Sequence, residues 1–185
     1  MVSQFISPDN VRLLGDLNFN FPEGTHAIGR LDNNSEGLLL LTTNKKITRL
    51  LFLGDVPHKR TYMIQVEKIV TEQTLEKLRS GVPIRVKGGS DYTTAPCEVE
   101  ITGRPENLWP RLHEFRHDLP HTWLKITLTE GKFHQIRKMV SHVYHDCKRL
   151  IRTSIEDLEL GDLQPGEVKE ISEEEFFTKL KLPLE

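Results

Sequence analysis

Apolar and polar positions alternate along residues 60–67, with Tyr62, Ile64 and Val66 on one side and Thr61, Met63, Gln65 and Glu67 on the other. That period of two predicts a strand. The alternation returns over 123–129, where Leu124, Ile126 and Leu128 share a face. The unbroken run GLLLLTT at 37–43 predicts a buried strand. Helical spacing occurs three times. Asn44 stands where it would cap a short helix over 45–52, with Ile47, Leu50 and Leu51 on one face. Residues 71–80 predict a second helix, with Leu75 and Leu78 inward and Gly81 as its stop. Residues 133–145 predict a third, striped by Ile136, Val140, Val143 and Tyr144. Residues 149–152 return as a strand. In between, 82–102 suggest hairpins turning at Gly88-Gly89, and 103–122 form a loop punctuated by Pro105, Pro110 and Pro120. Strands and helices interleave without a strict β-α-β rhythm, so the expected class is α+β.

Size and composition bound this picture. A chain of 185 residues suits one domain, and a chain of that size buries about 70% of its unfolded surface. No apolar run approaches the roughly 20 residues that span a bilayer, and MVSQFISPDN is not a secretory signal. Cys97 and Cys147 are too few for a disulfide framework. The expectation is a cytoplasmic protein with no membrane partner. The net charge of −2 hides a division: 155–185 carry ten acidic and three basic residues, while 1–154 carry 22 basic against 17 acidic. Within 131–152 six Lys and Arg face one acid, Asp146. That patch suits phosphates, and it equally suits a solvated helix face.

The chemistry concentrates at Gly29-Arg30-Leu31-Asp32, just ahead of Asn33, Asn34 and Ser35. Those three residues form turns, so Asp32 is expected at a loop tip held by the strand that follows, a common setting for catalytic groups. Packing offers little reason for a carboxylate there. This segment, with its EGLLLLT extension, resembles the G-R-L-D signature of pseudouridine synthases of the RsuA-type branch. Lys59-Arg60-Thr61-Tyr62 resembles that family's tyrosine-bearing strand, and 131–139 (GKFHQIRKM) resembles its G-x-x-x-Q-[IVL]-[RK] motif. Arg149-Leu150-Ile151-Arg152 resembles the terminal R-L-x-R segment. Trp109-Pro110-Arg111 and 122–126 (TWLKI) fit the RluE-like ribosomal RNA enzymes best.

The resemblance implies a pseudouridine synthase fold, a mixed and mainly antiparallel sheet with flanking helices around a central cleft. It implies one catalytic domain over 1–185, with no RNA-binding module ahead of it and the acidic tail 155–185 closing it. The usual opening K-P-Y-like strand is missing. The implied reaction isomerises one uridine of ribosomal RNA, expected in the large subunit, to pseudouridine without cofactor or metal. Asp32 would be the catalytic carboxylate, Tyr62 would stack on the base, and Arg137 would pair with Asp32 and keep it ionised. Arg30 would enter the RNA where the nucleotide has left. Lys132, His134, Lys138, Arg149 and Arg152 would contact RNA, with Leu150 and Ile151 lining the pocket. The expected partner is a ribosomal RNA hairpin with a flipped uridine, met by a monomer.

Simpler readings stand beside these. Without the resemblance, Tyr62 is a core residue of a half-buried strand, Arg137 a helix-surface arginine and His134 a capping or packing residue. His142, His145 and Cys147 invite a zinc site but lack a fourth ligand nearby. Glu36 is too weak a candidate to make Asp32 half of a hydrolytic pair. The remaining alternative is a catalytically inert RNA- or ribosome-binding relative. Asp32 separates the two, since a pure binder gains nothing from a carboxylate that repels phosphate.

Overall fold

The computed structural model describes residues 1–183 apart from Leu53 and Asp55, so Leu184 and Glu185 of the acidic tail lie outside the described residues. Strand β4 (Arg60–Glu67) is the centre of the main sheet because both of its edges are paired. On one edge runs β8 (His121–Leu128), antiparallel, with Tyr62 opposite Ile126. On the other runs β9 (Cys147–Ile155), antiparallel, with Tyr62 opposite Arg152. Beyond β8 lies β7 (Glu98–Thr102), and β10 (Leu158–Glu159) folds back on the end of β9. The free edge of β9 also takes β2 (Glu36–Gly37), the one parallel pairing among the described residues. The result is a mixed, mainly antiparallel sheet in an α+β fold.

Two apolar cores hold this frame. In the first, Ile64, Val66, Leu124, Ile126 and Leu150 of the sheet meet helices α2 (Glu72–Ser80) and α3 (Gln135–His142) through Leu75, Leu78, Ile136, Met139 and Val140. The hairpin β5 (Pro83–Arg85) and β6 (Asp91–Thr93) closes its rim through Ile84. The second core gathers Ile28 from β1 (His26–Ile28), Leu40 from β3 (Leu40–Thr42), and Ile47 and Leu51 from α1 (Ile47–Phe52). Against them pack Ile155, Phe177 of α4 (Glu173–Lys179), Leu180 and Leu182. Residues 29–35 cross the seam between the two cores.

Four expectations change. The run 37–43 is not one strand: it splits into β2 and β3, because Gly37, at φ 101°, turns the chain away from β9. Helix α1 begins two residues late, with Asn44 Oδ1 accepting the Lys46 amide at 3.0 Å in the preceding turn. Helix α3 covers only 135–142, so Tyr144 leaves the stripe and stands exposed at φ 66°. The acidic tail is not a mere closure. Ser172 caps α4 by accepting the Glu175 amide at 3.2 Å, and Glu173 to Glu175 sit at the positive end of the helix dipole. Glu173 and Glu174 stay exposed while Phe177, Leu180 and Leu182 build the second core.

Gly37 has no room for a side chain, since a Cβ there would lie 2.2 Å from the Arg152 carbonyl oxygen. Gly37→Ala is expected to cost about 3 kcal/mol or more, lowering the melting midpoint by roughly 6–12 °C in a circular dichroism melt. A midpoint within about 2 °C of the parent would show that β2 is not held against β9 this way. Burial pushes the Cys97 and Cys147 thiols up to about 11. Because these folded values lie above the unfolded value of 9.0, the associated stability is intact below pH 9 and is lost as pH rises through about 11. At pH 8 only about one thiol in a thousand is ionised, so iodoacetamide should label neither cysteine until the protein is unfolded; prompt native labelling would contradict this burial.

Candidate active site

Asp32 opens a tight turn, closed by the Ser35 amide donating to the Asp32 carbonyl at 2.8 Å. Before the turn, the Leu31 amide donates to the Ser3 hydroxyl at 3.1 Å. Within it, Arg137 Nη2 of α3 donates to the Asn34 carbonyl at 2.7 Å. The Asp32 carboxylate is about a third exposed, and its ionisable neighbour is His134, with Nε2 3.5 Å from Oδ1. Such a pair is worth at most about 1 kcal/mol, so its effect is on orientation rather than stability. The imidazole is itself held, stacked on Phe133 at 3.9 Å and 19°, with its backbone left-handed at φ 53°. This proximity of His134 to Asp32 is not visible in the sequence, because it depends on a left-handed residue just ahead of α3.

Arg137 grips the same loop without reaching the carboxylate. Its fork is seated on two backbone carbonyls, Asn34 in the loop and Cys147 at the start of β9, at 2.7 and 3.2 Å. No Asp32–Arg137 ion pair forms among the described residues. The arginine therefore fixes the loop that carries Asp32, joining it to the helix and to β9.

Strand β9 sorts the R-L-I-R segment by its period of two. Leu150 faces the first core beside Ile64, and Arg152 stands on the same side, opposite Tyr62. Arg152 is buried, donates from Nε to the Leu38 carbonyl at 2.8 Å, and leaves Nη2 without a partner among the described residues. Burial lowers its pKa from the ordinary arginine value, an effect opposed by the neighbouring Tyr62. Arg60, two residues before Tyr62, is shifted the same way, again mainly by burial and again opposed by Tyr62. Tyr62 thus has two poorly solvated guanidinium groups as electrostatic neighbours. Arg60 is a site residue that sequence reasoning missed, although i and i+2 of one strand share a face.

Three expected residues lie elsewhere. Ile151 pairs with Met63 on the opposite face and is 1% exposed, so it does not share a surface with Leu150. Arg149, expected to face RNA, is buried on that opposite face. It donates from Nε and Nη2 to Glu36 at 3.0 and 2.9 Å and from Nη1 to Glu114 at 3.2 Å. A guanidinium so buried and held by two carboxylates is kept away from phosphate. Arg152 is likewise removed from the surface.

A groove runs between the β5–β6 hairpin and α3, lined by Ile84, Arg85, Asp91, His134, Arg137 and Lys138. Lys138 crosses it, donating to the Arg85 carbonyl at 2.7 Å, and its Nζ lies 5.2 Å from the Phe133 ring centroid. Phe133 is exposed, and Lys132 covers Tyr92 at 4.5 Å. Arg30 is exposed beside the turn. Among the described residues no group of His, Cys, Asp and Glu is arranged to hold a metal, and no helix is long and apolar enough to cross a membrane. His145 is buried, with Nδ1 donating to the Glu67 carbonyl at 2.8 Å.

Comparison with known proteins bears on family and fold. Residues 12–142 match the family described as RNA pseudouridylate synthase. The chain is 40% identical over 172 residues to ribosomal large subunit pseudouridine synthase E of Vibrio parahaemolyticus, covering 92% of this chain and 69% of that protein. It is 37% identical over 151 residues to the protein of that name in Xanthomonas axonopodis pv. citri, covering 80% and 76%. The crystal structure of a pseudouridylate synthase superposes with a TM-score of 0.68 at 24% identity, over 88% of this chain and 63% of that one, which establishes the shared fold.

Proposed function

The chain belongs to the RNA pseudouridylate synthase family, and from that premise we propose that it isomerises a uridine of large-subunit ribosomal RNA to pseudouridine. The observation that carries the proposal is the partly exposed Asp32 carboxylate, set in a turn tied to Ser3 and Arg137 and opening beside a groove with basic residues. A binding protein has no use for a carboxylate so held. The relatives named ribosomal large subunit pseudouridine synthase E support the choice of RNA.

In the proposed reaction the C1′–N1 bond of uridine breaks, the uracil rotates, and C5 bonds to C1′. The proton on C5 leaves and N1 regains one, so atoms and electrons balance with no redox partner. Asp32 begins the sequence, either by attacking C1′ or by taking a ribose proton as the base departs. Tyr62 stacks on the uracil, which offsets part of the few kcal/mol needed to extrude a base. With the Arg60 and Arg152 guanidinium groups beside it, Tyr62 also assists removal of the C5 proton to solvent. Arg137 keeps Asp32 in place through the loop backbone. Arg30, Lys132, His134 and Lys138 hold the phosphates and unpaired edges of a hairpin whose target uridine is flipped out. We read the chain as one catalytic domain, working as a monomer in the cytoplasm.

Tritium release from ribosomal RNA labelled at uridine C5 tests the reaction. Asp32→Asn should lose turnover by about 10²–10⁴-fold or more while still binding RNA; appreciable release by this variant would remove Asp32 from the mechanism. Arg137→Ala should lose turnover with a smaller loss of binding, and a binding defect alone would make it a phosphate contact. For the groove, Arg85→Ala and Lys138→Ala should each weaken binding and lower the slope of log K against log salt by about 1. An unchanged slope would take the groove out of the RNA path.

A further inference from the structure

Glu36 ends the turn that carries Asp32, yet the chemistry above does not use it. Its carboxylate, 17% exposed, accepts both Nε and Nη2 of Arg149 at 3.0 and 2.9 Å and the Trp109 indole N–H at 2.6 Å. Arg111 Nη1 stands 3.4 Å away. Arg149, 4% exposed, spends its other contacts on the irregular segment 103–120: Nη2 donates to the Trp109 carbonyl at 2.8 Å and Nη1 to Glu114 at 3.2 Å. Its guanidinium also lies 5.6 Å from the Trp109 ring centroid. This cluster lies across the sheet from Tyr62 and Leu150 and lines no part of the groove beside α3.

Its connection to Asp32 is mechanical. Strand β2 is two residues long and pairs with β9 at Ile151 and Arg152, with one further backbone bond from the Leu38 amide to the Arg152 carbonyl, a ladder short enough to gain from a side-chain lock. A slip of one residue would turn Glu36 to the other face and carry the Asp32 turn with it. A two-point contact between a carboxylate and a guanidinium fixes distance and plane together, and a buried one is little weakened by salt.

We propose that Glu36 and Arg149, with Trp109 bracing both, are positioning residues: they lock β2 against β9 so that the turn presents Asp32 at the distance its reaction needs. The proposal rests on Asp32 being the catalytic carboxylate. It also gives segment 103–120 a task, since Trp109 and Glu114 hold Arg149 from the side that β9 leaves open.

The test compares the parent with Glu36→Gln, Arg149→Lys and the double variant Glu36→Met/Arg149→Met. Removing one partner leaves a buried charge and can prevent folding, whereas replacing both with apolar side chains of similar volume usually preserves it. Turnover on labelled ribosomal RNA, RNA binding and amide hydrogen exchange are read on each folded protein. In the double variant, kcat should fall by about 10²-fold, the loss expected of a displacement near 1 Å, with KM within about twofold of the parent. The Ser35 amide should exchange at least about tenfold faster, while Ile64 at the sheet centre stays protected. Arg149→Lys keeps the charge without the fork and should behave like the double variant. A folded double variant with either parental kcat or parental Ser35 protection overturns the proposal. A parent without turnover would instead refute the uridine reaction, and Ser35 protection alone would then decide the clamp.

Discussion

A backbone contact with no room for a side chain sets the rest of the molecule. At Gly37 the chain lies against Arg152 with no space for a Cβ, the Leu38 amide donates to the Arg152 carbonyl at 2.8 Å, and Arg152 Nε returns a bond to the Leu38 carbonyl. Arg152 pairs in register with Gly37 on one side and Tyr62 on the other. Two strand spacings of about 4.8 Å therefore separate the foot of the Asp32 turn from Tyr62. The same contact ends the leucine run as a strand, sending Leu38 and Leu40 into the second core and leaving the turn at the seam.

Charge in this protein is spent inward more than its count implies. Of the six cations in 131–152, Arg149 and Arg152 are buried and Arg137 is committed to backbone carbonyls. Lys148 is paired with Glu67 at 2.7 Å. Lys132 and Lys138 remain near the groove, joined by Arg85 from the hairpin. Guanidinium groups serve here as multi-armed hydrogen-bond donors that join segments distant in sequence. The electrostatic reach of the surface is correspondingly shorter than the sequence patch suggests.

Much of the fold was legible because it rests on local rules. The alternation in 60–67 and 123–129 marks two strands that the structure sets at 60–67 and 121–128, and Thr71 with Gly81 brackets a helix that the structure keeps within one residue. Other features needed partners from far along the chain. The split of 37–43 depends on Arg152, 115 positions after Gly37. The proximity of His134 to Asp32 depends on a backbone conformation rather than on composition. Two misplacements were avoidable. Arg149 and Arg152 cannot face one surface together with a pocket made of both Leu150 and Ile151, since neighbours in a strand point opposite ways. The Ser172–Glu175 spacing is a helix-start signal that was there to be read.

The second core also has a temporal meaning. Ile28 and Leu38, which flank the Asp32 turn, pack against Phe177, Leu180 and Leu182, more than 130 positions later. During synthesis the first of these residues emerge long before the last exist. The turn thus lacks half of its apolar support until residues 177–182 have been made and released. The Asp32 turn therefore gains its full support late in the life of each nascent chain, only after residues far along the sequence have emerged.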